Sequence, residues 1–245
     1  MAYAVVQQKD FSRNASGQAN VASGAWGAGV TSGNVVVVFV AYYSSASKTV
    51  TMSGNSNSFS EIGSGVFNAT YAAGMRAFLV QSAVAGTTQY TATFSANVDF
   101  PAIALVEFSG LATSSVVSGT PVLVSQTAPG TGTNAITTGN ITPGAQPAAI
   151  VGIANDLGNQ ASPAAGTGYT GLTPIWNYEG TATAGARIIH KRVTATTATP
   201  ATWTTDVNGG PDNYLNIGIA LIEPGAGGGG VSAKLLSMLN NQGGF

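Results

Sequence analysis

Residues 33–43 read GNVVVVFVAYY, and this stretch decides the fold. Its run of β-branched and aromatic side chains favours an extended backbone, and the run is too short to span a membrane. With no polar residue alternating through it, it reads as a strand buried on both faces, opening the central sheet of a β-sandwich. Residues 102–108 (AIALVEF) have the same texture and are expected beside it. A fainter copy of the pair follows downstream, at 148–154 (AAIVGIA) and 214–223 (YLNIGIALIE).

Working outward, residues 4–9 read as a first edge strand, followed by a Gly/Ala/Ser-rich span to about residue 32 that suits loops or weak outer strands. After the Val-rich strand come a turn at 44–48, a short strand at 49–52 and a loop at 54–58 (GNSNS). Residues 74–84 and 88–95 read as two more strands. In the second, Tyr90, Ala92 and Phe94 alternate with Thr91, Thr93 and Ser95, so one face is buried and one wet. Residues 100–108 close this half at Ser109-Gly110.

The rest repeats the plan. Residues 121–125 form a weak strand and 127–134 a loop-like span. Residues 148–154, 184–193, 201–205 and 214–223 then take the places of 35–43, 74–84, 92–95 and 100–108. Two local matches support a tandem duplication. Ala73-Gly74-Met75-Arg76 matches Ala184-Gly185-Ala186-Arg187, an offset of 184 − 73 = 111. Ile103-Ala104-Leu105-Val106-Glu107 matches Ile219-Ala220-Leu221-Ile222-Glu223, an offset of 219 − 103 = 116. The expected fold is all-β, with two antiparallel β-sandwiches of jelly-roll or immunoglobulin-like type at 1–112 and 113–224 and a short tail at 225–245. The alternative is one larger sandwich whose two sheets are related by the repeat.

Composition narrows the function classes. Charged residues make up 7% of the 245 residues and hydrophobic ones 44%, clustered in strand-length runs, which is not a disordered composition. A net charge of −1 leaves no basic face, so neither nucleic acid nor an anionic membrane surface is an expected partner. The absence of cysteine excludes disulfides and thiolate metal sites. The N-terminal MAYAVVQQKDFSRN lacks a basic region followed by an apolar core, so synthesis in a cytoplasm is expected, with later release by lysis or assembly. The Asn-x-Ser/Thr triplets at Asn14, Asn68 and Asn140 read as chance in a chain so rich in these residues.

No catalytic constellation is visible in the sequence. The single histidine, His190, lies in the strand-like RIIHKRV, with no Gly-x-Ser-x-Gly elbow to present a nucleophile. It reads as an exposed or half-buried strand residue, and one histidine without cysteine makes a zinc site unexpected. The nine acidic residues show no paired-carboxylate pattern, and Asp156-Leu157-Gly158 lacks the hydroxyl residue of an aspartic-protease turn. Walker and dinucleotide fingerprints are missing. No cofactor is expected. The repeated Arg76/Arg187 and Glu107/Glu223 read either as sugar or carboxylate contacts, or as structural ion pairs and charges at wet strand ends. Asp206, Asn208 and Asp212 offer oxygen ligands for calcium, but their loop lacks EF-hand spacing and reads more simply as an Asn-Gly turn, so no metal is expected. Trp26, Trp176, Tyr178, Tyr169 and Tyr71 lie near expected loops and are candidates for a carbohydrate platform or for packing, while Trp203 reads as core.

The tail is of another kind. Pro224 ends the last strand and residues 225–230 (GAGGGG) form a flexible linker. Residues 231–239 (VSAKLLSML) carry a short amphipathic helix signal, with Val231, Leu235, Met238 and Leu239 on one face and Ser232 as a cap. A helix this short needs a partner surface, whether the sandwich, another copy or another protein, so Val231, Leu235, Leu236, Met238 and Leu239 are the candidate interaction residues; the alternative is a frayed tail.

The tandem Gly/Ser/Thr-rich sandwich pattern over residues 20–223, with VVVVFVAYY and DFPAIALVEFSGL, resembles β-sandwich structural proteins of tailed-bacteriophage virions and related prophage genes. That group includes capsid decoration proteins and head or tail fibre components. The resemblance implies a noncatalytic accessory role on the outer surface of a capsid or tail, in the virion. Other virion proteins and further copies of the chain would be its partners, and host-surface glycans a further candidate. The competing class is a carbohydrate-binding or adhesin module.

Overall fold

The structure, a computed structural model, describes residues 2–25, 28–86, 89–128, 134–157, 163–175, 185–205 and 212–224. Every regular element among them is a β-strand. The first half holds β1 (Ala4–Ser12), β2 (Gln18–Ala22), β3 (Val35–Tyr43), β4 (Val50–Ser53), β5 (Ser60–Glu61), β6 (Val66–Asn68), β7 (Ala73–Val80) and β8 (Thr91–Ser109). The second holds β9 (Val122–Ala128), β10 (Asn134–Ile141), β11 (Ala148–Asp156), β12 (Ala164–Ala165), β13 (Thr170–Gly171), β14 (Ala186–Val193), β15 (Thr199–Thr205) and β16 (Asp212–Ile222). The fold is therefore all-β, and every strand pairing is antiparallel.

Each half has an inner and an outer layer. The inner sheet of the first half runs β1-β8-β3-β7-β5, with β6 also on β7, and that of the second runs β9-β16-β11-β14-β13. Outside them, β2 and β4 flank the first part of β8, and β10 and β12 flank β15. The strand order is thus the same in both halves, with β3 and β11 in equivalent central positions.

β8 belongs to both layers of its half. Its residues 91–94 pair with β2 and β4, whereas its residues 99–108 pair with β3. Pairing with β2 continues to Val98, and just past the switch between layers Phe100 has φ +46°. The expected strands at 88–95 and 100–108 are therefore one bent strand. In the second half the corresponding path is divided between β15 and β16.

The stacking explains the two-sided apolar runs. Along β3, Val35, Val37, Phe39 and Ala41 join a cluster with Ala149, Val151 and Ile153 of β11 and with Leu215, Ile217, Ile219 and Leu221 of β16. The alternate residues Val36, Val38, Val40 and Tyr42 face the outer layer of their own half, packing with Val21, Met52, Tyr90 and Phe94. In the second half, Ile150 and Ala154 turn outward to Trp203, Ile136 and Ile141. The molecule is four layers of sheet, and its central core lies between the halves. Each large side chain so buried contributes roughly 1.5–3 kcal/mol of transfer free energy.

The edges of the inner sheets cross over. Tyr3, just before β1, bonds His190 of β14, and Gln8 Nε2 donates to Thr173 O. At the opposite edge, Asn68 Nδ2 of β6 donates to Ser125 Oγ of β9 at 2.8 Å. β1 thus lies across from β13–β14, and β9 across from β6, as a two-fold relation between the halves requires.

One expected equivalence fails. Ile103 and Leu105 face the outer layer, whereas Ile219 and Leu221 face the central core. The Ile-Ala-Leu-x-Glu match at offset 116 is out of register by an odd number of residues, and in a strand that inverts every side chain. The Arg match survives, since Arg76 lies opposite Val40 and Arg187 opposite Ala154, both outward-facing positions.

The second outer layer sits close because of two glycines. Gly152 and Gly218 are directly paired. A Cβ on Gly152 would lie 2.9 Å from Trp203 Cη2, and one on Gly218 2.5 Å from Ile141 Cδ1. The missing side chains leave room for the fully buried Trp203, whose indole N–H donates to Arg187 O at 3.1 Å.

Candidate functional site

The polar chemistry of the described chain gathers where β1 enters over β14. β14 ends Ile188-Ile189-His190-Lys191-Arg192-Val193, which places three successive basic residues on one strand. Alternation splits them. His190 lies opposite Val151, on the face toward the first half, and Arg192 shares that face. Lys191 lies opposite Ile150, on the outer face.

Tyr3 caps the inner face. Its hydroxyl is 2.8 Å from His190 Nδ1, and its ring meets Phe108 and His190 edge-on at centroid distances of 5.9 and 5.7 Å. A phenol donates more readily than it accepts, so Nδ1 is the acceptor and the imidazole hydrogen sits on Nε2. Burial lowers the pKa of His190 and favours the neutral ring. Burial also raises the pKa of the Tyr3 hydroxyl, and the nearby Glu223 charge adds to that shift.

Arg192 holds Glu223 through both carboxylate oxygens, with Nε at 2.6 Å and Nη2 at 2.8 Å. This fork geometry holds the Glu223 carboxyl below its usual range, and Glu223 is buried while Arg192 stays part-exposed. On the outer face, the Lys191 ammonium sits 5.4 Å from the centre of the Tyr169 ring. The Tyr169 hydroxyl donates to Pro200 O at 2.8 Å, and burial pushes its pKa up to about 12. Tyr3, Ala4, Gly168, Thr170, His190, Lys191 and Arg192 line an open hollow of about 370 Å³.

The other sequence candidates fall elsewhere. Arg76 pairs with Glu61, and its Nε donates to Lys48 O. Glu107 is wholly buried and accepts from Gln7 Nε2, the Thr31 N–H and Asn34 Nδ2, which pins the 29–34 loop over the sheet. Arg187 keeps a buried Nε with no hydrogen-bond partner. Among the described residues, no ion pair joins any two of Arg76, Arg187, Glu107 and Glu223. Asp156 is wholly buried at the end of β11, near the buried Asn155, Asn213 and Asn216, a polar group that the sequence did not flag. Tyr71 is 41% exposed, and Trp203 is core. Trp26, Trp176, Tyr178, Asp206 and Asn208, the side chain of Asp212, and the tail residues Val231, Leu235, Leu236, Met238 and Leu239 lie outside the described residues.

Sequence reasoning read His190 as an exposed or half-buried strand residue, of which the structure shows the half-buried one, and it missed Tyr3. The only available signal was an aromatic residue directly ahead of the first edge strand. Comparison with protein-family models, curated proteins and solved structures finds no match.

Proposed function

We propose that the chain is a noncatalytic structural or accessory protein of a tailed-phage virion, acting through protein–protein assembly on the outer surface of a capsid or tail. The observation that carries this reading is where the charged groups are spent. Arg76 with Glu61 ties the β5 edge to β7, Arg192 with Glu223 ties β14 to the end of β16, and Glu107 holds a loop. His190 is engaged with Tyr3 across the two halves. These groups tie strands within each inner sheet, pin one loop and link the two halves at Tyr3, which suits a rigid building block. The resemblance of VVVVFVAYY and DFPAIALVEFSGL to virion sandwich proteins supports the same reading, with capsid or tail proteins and further copies of this chain as its partners.

The test is co-purification with assembled particles. The protein is expected to co-sediment with virions at a fixed copy number and to be protected from release by salt washing. Recovery only from the soluble lysate, with particles that lack it and remain infectious, would overturn the proposal.

A further inference from the structure

We propose that the hollow between Tyr3 and β14 binds a carboxylate-bearing sugar. This role goes beyond assembly and would give the outer surface a ligand of its own. Its lining offers donors and, among the described residues, no acidic side chain. The Lys191 ammonium has no carboxylate partner among the described residues. Arg192 uses Nε and Nη2 on Glu223, and its Nη1 has no hydrogen bond among the described residues. Glu223 already neutralises Arg192, so the net surplus is one positive charge, the complement of a single carboxylate.

Size and polarity supply the rest of the argument. The hollow of about 370 Å³ falls in the ~300–1,000 Å³ range of small-molecule sites and exceeds what a bare inorganic anion fills. The remainder of the ligand must meet polar groups. The Thr170 hydroxyl, the backbone at Gly168 and the Nε2–H of neutral His190 are suited to ring hydroxyls. Gly168 has φ +79°, a conformation that favours glycine, and its backbone lies in contact range of Lys191 Nζ. Tyr3 and His190 both line the hollow and bring aromatic surface to it, suited to the C–H face of a pyranose.

The experiment titrates the full-length protein with glucuronate, glucose and sulfate by NMR or calorimetry. Glucuronate is expected to bind about tenfold or more tightly than glucose or sulfate, and to weaken as ionic strength rises. Lys191→Gln should lose about tenfold in affinity while Lys191→Arg retains most of it, with unchanged thermal unfolding in both variants. Equal binding of glucose would show that the charge is not read. Sulfate binding as tight as glucuronate would show a bare-anion site. Unchanged affinity in Lys191→Gln, or no glucuronate binding, would place the ligand elsewhere or remove it. Any of these overturns the proposal. Particle co-purification does not depend on Lys191, so failure here is distinguishable from failure of the assembly reading.

Discussion

Residues 1–112 expressed alone should not give a stable monomer. In the full chain, Val35, Val37, Phe39, Ile62, Met75, Leu79, Val106 and Phe108 all lie in the cluster between the halves. Removing residues 113–245 exposes that face. At ~1.5–3 kcal/mol per large side chain, these eight residues forfeit on the order of 12–24 kcal/mol of transfer free energy. A whole domain is typically stable by only ~5–15 kcal/mol, so the loss is comparable to the total or exceeds it. The bared face is also flat and apolar, which favours association over monomeric folding. The assay is sedimentation velocity with urea unfolding and binding of a hydrophobic dye. The half-chain should dimerise, aggregate or unfold, whereas the full chain should show one transition by circular dichroism and fluorescence together. A monomeric 1–112 fragment with a cooperative melt and no dye binding would refute the reasoning.

Other outcomes follow from single sites. Trp203→Ala should cost ~3–5 kcal/mol in urea unfolding, and Gly152→Val about 1–3 kcal/mol because its side chain lands on Trp203. Glu107→Ala should cost about 1–3 kcal/mol by leaving three donors unpaired, with faster hydrogen exchange in the 29–34 loop as its signature. For His190, burial holds the folded pKa below the ordinary 6.5, so below about pH 6.5 the unfolded chain binds a proton that the folded chain does not. Stability should therefore fall as pH drops from 6.5 toward the folded pKa, and His190→Gln should flatten that part of a melting-temperature profile. Glu223 adds stability above the ordinary 4.5 that is lost as pH falls through its depressed folded value, and Glu223→Gln should remove that lower step. Deleting residues 225–245 should leave thermal unfolding nearly unchanged while weakening incorporation into particles or oligomers.

The central strands were legible because burial on both faces removes the polar alternation that otherwise marks a sheet surface. Val35–Tyr43 and 148–154 declared themselves for that reason. The outer strands were harder. β10, NAITTGNI, buries Ile136 and Ile141 among Thr, Gly and Asn, a composition equally suited to a loop, and only its pairing with β15 makes it a strand. The Ile-Ala-Leu-x-Glu match misled because letters carry no register. Both segments are strands, yet their side chains point to different cores. The site depends on Tyr3 meeting His190 across 187 residues of chain, a contact that no local pattern encodes.

The shared central core bears on ancestry. Alternate residues of β3 and β11 answer to their own half and to its sister. A single ancestral half, before any duplication, would have carried the same apolar inner face with no sister to cover it. Two such molecules related by a two-fold axis could cover each other with one patch used twice, since β1 over β14 and β9 over β6 are the same kind of contact seen from either side. On that reading the present chain would correspond to such a dimer joined into one chain. Joining would also free the two copies to diverge, and the Gly152–Gly218 pair that leaves room for Trp203 would be one such divergence, since β3 has no glycine.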